Sequence, residues 1–132
     1  MRVMLDTNVL LSALLFPGER MDRLMRCIFE KHRLVLSSFV VEELHSVVER
    51  KFPTKAHTID TLLSAMSYEL VYTPKEMRQD LFTIRDAKDY PVLYTAVAED
   101  VDVLVTGDKD FDDVTLERPD ILTPSEFIER FA

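Results

Sequence analysis

The chain has 132 residues, 47% hydrophobic and 30% charged, with two glycines and six prolines. Such a composition excludes long disordered or low-complexity stretches and predicts one soluble globular domain spanning 1–132, able to bury a core without staples. One cysteine, Cys27, excludes an intramolecular disulfide and fits a reducing cytoplasm, and no apolar run approaches a membrane span.

Charge is unevenly placed within the net −8. The first 55 residues carry 9 basic and 7 acidic side chains, the remainder 7 and 17. This acidity argues against tight non-specific binding to nucleic acid, but allows a nucleic-acid substrate held partly through bound cations.

The chain opens on an apolar run that stops abruptly at Asp6, and a helical pattern (Val9, Leu10, Ala13, Leu14) follows almost at once. The economical reading is a buried central strand, with Asp6-Thr7-Asn8 as the turn into a helix. Asp6 and Asn8 interrupt the apolar N-terminus, so a signal peptide is not expected. After the break at Phe16-Pro-Gly18, Met21, Leu24, Met25, Ile28 and Phe29 define an amphipathic helix with Arg23 and Arg26 on its opposite face. Those two arginines are either a solvated helix back or a patch for substrate phosphates.

Arg33 to Ser37 predicts the second strand, with Ser37 or Ser38 capping the next helix. That helix has the stripe Val40, Val41, Leu44, Val47 and Val48. On a helical wheel Glu43 borders the stripe beside Val47, whereas Glu42 and Glu49 lie on the far side. Ala56 to Ser67 predicts a further helix, Glu69 to Tyr72 a third strand, and Lys75 to Leu81 a brief helix before a loop over 82–88. Asp89 is the expected N-cap of a helix with Pro91 in its first turn and Val92, Leu93, Ala96 and Val97 inward. Val101 to Val105 is a fourth strand ending in Thr106-Gly107-Asp108, Ile121-Leu122 a fifth, and Pro124 to Phe131 the last helix. Alternating strands and helices imply βαβ units and a parallel sheet.

Ligands of open α/β sheets bind beyond the carboxyl ends of the strands. Asp6 and Asp108 follow the first and fourth strands, Asp89 opens the helix leading to the fourth, and Glu43 lies on the helix after the second. Right-handed crossovers would bring these acids together, with Asp86 and Asp110 on the rim. Clustered carboxylates repel, and the usual compensation is a hard divalent cation such as Mg²⁺ or Mn²⁺. That chemistry suits phosphoryl transfer or phosphodiester hydrolysis. Taken singly, each fragment has a plainer role as a helix cap, a turn or a surface acid. Only their common address points to a site.

Asp6-Thr-Asn8 after a strand, Glu43-Leu44 on a helix, Arg85-Asp-Ala-Lys-Asp89 before a helix, and Val105-Thr-Gly-Asp-Lys-Asp-Phe111 resemble, in order and spacing, the four motifs of the PIN domain. The stretch Leu5 to Gly18 further resembles the VapC-like toxin ribonucleases of toxin–antitoxin pairs. The resemblance implies a three-layer α/β/α sandwich around a parallel sheet. It also implies a Mg²⁺- or Mn²⁺-dependent endoribonuclease with Asp6, Glu43, Asp89 and Asp108 around the metal. Asn8 and Thr106 match polar positions that orient the site, and Asp86 matches a frequent extra acid. Either Asp86 or Asp89 fills the third-motif role; the helix-start position and the spacing to Ala96 favour Asp89. An RNA substrate, a small antitoxin protein, a homodimer and a cytoplasmic location follow from the same resemblance.

Three rival readings fit the residues less well. A haloacid-dehalogenase-type phosphatase needs a second Asp two residues after the first, where Asn8 stands. A receiver domain needs a phosphoacceptor near residue 55, where Lys55 and Ala56 stand. A non-catalytic PIN-like binding module would typically have lost an acid. The histidines His32, His45 and His57 lie away from the motifs and are expected to be solvated.

Overall fold

The computed structural model describes residues 1–111 and 114–132, the side chain of Lys109 excepted. Five strands, β1 (Arg2–Leu5), β2 (Arg33–Ser37), β3 (Glu69–Val71), β4 (Val103–Val105) and β5 (Asp120–Leu122), form one sheet. The order is β3-β2-β1-β4-β5 and every neighbouring pair is parallel. Six helices cover it in an α/β/α sandwich: α1 (Thr7–Leu15), α2 (Glu19–Lys31), α3 (Ser38–Lys51), α4 (Ala56–Ala65), α5 (Tyr90–Ala98) and α6 (Pro124–Phe131). Here α2 packs against α6, and α3 against α1, α4 and α5. No helix among the described residues is long and apolar enough to cross a membrane.

Central strands covered on both faces cannot alternate polar and apolar residues. Accordingly Val3, Met4 and Leu5 of β1 and Val103, Leu104 and Val105 of β4 are all buried. The helices start where side chains supply the missing acceptors. Ser37 Oγ accepts from the Val40 amide at 3.2 Å. Thr123 and Glu126 form a reciprocal capping box at α6. Ser38 has another task, accepting from the Thr73 amide at 2.9 Å to hold the exit of β3.

One expected element is absent. Residues 75–81 form no helix. Only Met77 is even half-buried there, so a helix would have no apolar face to bury, and short helices do not survive on propensity alone. Instead the Tyr90 hydroxyl donates to the Arg78 carbonyl, and Phe82 stacks on Tyr90 at 4.4 Å. Smaller shifts occur at ends: α1 starts at Thr7 and α4 stops at Ala65. β4 begins at Val103, after a turn in which Asp100 has φ 52°.

The chain builds outward from β1 to β2 to β3, then returns through α5 to β4 on the other flank of β1. The strand order therefore reverses between β1 and β4. The opposite end of the sheet is tied by Arg2. Its amide donates to Asp102 Oδ2 at 2.8 Å, and its guanidinium grips Glu69 through two bonds of 3.1 and 2.7 Å. One residue thus links β1, β3 and the approach to β4. Arg2→Ala should lower unfolding free energy by about 1–2 kcal/mol, measured by urea denaturation, without changing chemistry at the far end of the sheet.

Candidate functional site

Register between the two central strands builds the site. Leu5 pairs with Val105, and the Asp6 amide donates to the Val105 carbonyl at 3.0 Å. Asp6 and Thr106 therefore leave the sheet side by side, both almost fully buried. Thr106 Oγ1 donates to Asp6 Oδ2 at 2.8 Å and accepts from the Asp108 amide at 3.0 Å. Asp6 Oδ1 accepts from the Thr7 amide at 2.7 Å, so Asp6 also caps α1. Asp108 Oδ1 accepts from the Asp110 amide at 2.8 Å, which fixes the second acid on its loop.

Asp89 arrives differently from the sequence expectation. It does not cap α5: its backbone is already helical and its side chain makes no capping bond. The reason lies just upstream, where residues Ala87–Asp89 form a single 3₁₀ turn that runs into the helix. Capping falls to Asp86, whose Oδ1 accepts from the Lys88 amide at 2.9 Å. Freed from that role, Asp89 leaves Oδ2 buried with no hydrogen-bond partner. Carboxylate oxygens of Asp6, Asp89 and Asp108 lie within 4.8 Å of one another. A second set of Asp86, Asp89 and Asp110 shares Asp89. Of the two third-motif candidates, Asp89 joins the Asp6–Asp108 pair and Asp86 stands at the rim.

Electrostatics follow from this crowding. Burial pushes the Asp89 carboxyl up to about 8, with Asp108, Asp6 and Asp86 pushing the same way. Burial also raises Asp6, opposed by the hydrogen bonds from Thr106 and Thr7 and reinforced by the charges of Glu43 and Asp108. Glu43 is half-buried on α3, while Glu42 beside it is exposed. Its charge reaches Asp6, but its oxygens lie outside the 4.8 Å group. The structure thus brings three of the four principal acids into contact range and leaves the fourth alongside.

Three convergent carboxylates, with Asp89 Oδ2 buried and lacking a hydrogen-bond partner among the described residues, fit a hard divalent cation, which takes oxygen ligands and cancels the repulsion. The buried, unpartnered Thr7 Oγ1 is a further polar atom beside Asp6. Arg85 Nε lies 3.8 Å from Asp110 at the rim.

Asn8 is exposed at the start of α1 and, with Gly107, borders a cleft of about 550 Å³. The arginine in that cleft is Arg20, which the sequence does not single out because it precedes the apolar stripe of α2 and belongs to no motif. Arg23 is exposed in an adjoining cleft with Ser125 and Glu129, and Arg26 is exposed further along α2. Neither meets the acids. The expected solvation of His32 is corrected: its ring lies 5.8 Å from Phe127 and 6.0 Å from Phe131, edge to face, with Nε2 buried. The return of α6 against α2 covers a helix end that the sequence reads as open.

Comparison with known proteins agrees with this fold. The chain resembles VapBC2 from Rickettsia felis, solved bound to a DNA fragment from its promoter, with TM-score 0.74, 21% identity, and coverage of 93% of this chain and 98% of that one. It also resembles the sarcin–ricin loop cleaving toxin VapC20 of Mycobacterium tuberculosis, with TM-score 0.59, 13% identity, and coverage of 89% and 99%. At these identities the likeness is one of fold. No curated protein matches the sequence. The PIN domain family itself matches residues 2–110, which span β1, β4 and the acids of the cluster, and the chain belongs to the PIN domain family.

Proposed function

We propose that this PIN domain is a divalent-metal-dependent endoribonuclease, cytoplasmic, acting as the toxin of a toxin–antitoxin pair. The observation that carries the nuclease reading is the set of three carboxylates within 4.8 Å, with one Asp89 oxygen buried and unsatisfied. Support for RNA as substrate and for a small antitoxin partner comes from the two toxin-system structures that share the fold. A homodimer belongs to the same reading.

Asp6, Asp89 and Asp108 would hold Mg²⁺ or Mn²⁺, with Glu43 alongside. When bound, such an ion supplies the Lewis acidity that phosphodiester hydrolysis needs. The chain's own residues do the positioning. Thr106 locks Asp6 and the Asp108 loop through one hydroxyl, the Asp110 amide orients Asp108, and Asp86 shapes the turn that presents Asp89. Asn8 offers an exposed amide at the mouth. In the net reaction, water adds at phosphorus and one P–O ester bond breaks, leaving a phosphate on one RNA fragment and a hydroxyl on the other.

Asp6→Asn or Asp108→Asn should remove roughly 100-fold or more of RNA cleavage while the protein stays folded. A chelator should do the same, reversibly with Mg²⁺ or Mn²⁺. Full cleavage by pure Asp6→Asn protein, or phosphate release from a small monoester in place of RNA cleavage, would overturn the reading.

Glu43→Gln should cost roughly tenfold more activity than Glu42→Gln, since only Glu43 reaches the cluster electrostatically. Equal losses would remove Glu43 from the site.

Asp89 gives a test independent of turnover. Its folded-state pKa of about 8 lies above the ordinary 3.8, so the unfolded chain loses this proton first as pH rises. Stability of the metal-free protein should therefore fall from about pH 4 towards pH 8. Asp89→Asn should flatten that decline, stabilise the metal-free protein at neutral pH by roughly 1–3 kcal/mol, and lose the stabilisation by Mg²⁺ that mass action gives the wild type. Melting curves with chelator and with Mg²⁺ measure all three effects.

A further inference from the structure

A cleft along α1 is lined by residues that, Asn8 apart, have no part in the metal site. Asn8, Ser12 and Phe16 follow one another at four-residue spacing and so share one face of α1 and its C-cap. Gly107, Arg20 and Ser125 also line the cleft. Asn8 is two residues from Asp6 and Gly107 precedes Asp108, so two residues of the lining are chain neighbours of the clustered acids.

Two of its residues stand out physically. Phe16 is 55% exposed, although a phenyl ring gains by burial. Its ring rests against the Phe52 ring at 5.4 Å and 68°, an edge-to-face support that fixes its orientation. Arg20 carries a guanidinium that pairs with no carboxylate among the described residues; its one hydrogen bond there is to Ser125 Oγ at 3.3 Å. In a chain of net charge −8, a cation with no carboxylate partner among the described residues, lining the same cleft as Asn8 and Gly107, is available to an anion.

We infer that Phe16 and Arg20 form a nucleotide subsite for single-stranded RNA flanking the cleaved phosphodiester, Phe16 stacking on a base and Arg20 contacting a backbone phosphate. The inference rests on the endoribonuclease reading and goes beyond it by placing the substrate along α1. Base-on-aromatic stacking tolerates any sequence because every base has a π-face, and a guanidinium matches phosphate oxygens in two-point geometry. The cleft offers one exposed aromatic face and one cation, the two chemistries that a nucleotide's base and phosphate require. An extended apolar peptide would leave Arg20 unpaired.

The test uses the full chain and a fluorescein-labelled single-stranded RNA oligonucleotide. kcat and KM are measured with Mg²⁺, and Kd is measured by anisotropy in an Asp6→Asn background as salt is varied. Phe16→Ala should raise KM and Kd roughly tenfold with kcat unchanged, and Phe16→Trp should restore both. Arg20→Ala should weaken binding and reduce the slope of log Kd against log salt by about 0.7, the value for one phosphate on a single strand, whereas Arg20→Lys keeps the slope. Arg50→Ala, at an exposed cation on α3, should change neither. If the wild type cleaves RNA and both Ala variants keep parental KM and Kd, the subsite is overturned alone. The subsite is equally overturned if those variants lose affinity only for a protein partner, which then becomes the occupant of the cleft. A Phe16 loss that Trp does not restore, with a lowered melting temperature, overturns the stacking role in favour of packing. If the wild type neither binds nor cleaves RNA, this inference falls together with the nuclease reading.

Discussion

A single hydroxyl organises the functional end of the molecule. Thr106 Oγ1 gives its proton to Asp6 Oδ2 and a lone pair to the Asp108 amide, so the carboxyl end of β1 and the loop after β4 are fixed to each other. The bond forms because β1 and β4 pair in parallel with Leu5 opposite Val105. Side chains alternate along a strand, and a slip of one residue would turn Thr106 away from Asp6 and carry the Asp108 loop with it. Burial on both faces of the sheet makes such a slip costly, since Val103, Leu104 and Val105 are all fully packed. Hydrophobic packing in the middle of the sheet thereby determines carboxylate geometry at its edge.

The site trades local stability for readiness. Asp6 is buried yet well supplied with donors, from Thr7 and Thr106. Asp89 has no such compensation at Oδ2 among the described residues, and burial together with the neighbouring acids holds its carboxyl well above the ordinary range. A fold selected for stability alone would have placed a donor or an apolar group there. Leaving an acceptor unsatisfied among like charges makes sense when a cation completes the set. The opposite end of the sheet shows the contrasting case: Arg2, Glu69 and Glu99, together with Asp102 and Arg118, form paired networks with counter-charges present. One end of the sheet is neutralised internally and the other is left acidic.

The surroundings of the acids are also asymmetric. On one side Asp86 and Asp110 extend the negative rim, with Arg85 beside them. On the other the cleft along α1 offers an exposed aromatic ring and a cation.

The apolar runs and their breaks determined most of the fold on their own. Continuous runs at β1 and β4 suit strands buried on both faces, and the stripes of α2 and α3 leave one face each to bury. Glu43 against Glu42 was legible for the same reason, since helical phase alone separates an edge from a solvated back. The PIN motifs named the acids. Other features depended on neighbours distant in sequence. Residues 75–81 had helix-compatible composition, but Tyr90 draws the Arg78 carbonyl out of any helical pattern. Capping passed from Asp89 to Asp86 because a 3₁₀ turn, invisible in local propensity, extends the helix start. His32 looked open until α6 folded back over it. Arg20 has no motif, and only the meeting of α1, α6 and the loop after β4 makes it part of a cleft. Periodicity reports which face of an element is buried, whereas hydrogen-bond partners and clefts arise between elements and exist only once the chain has closed on itself.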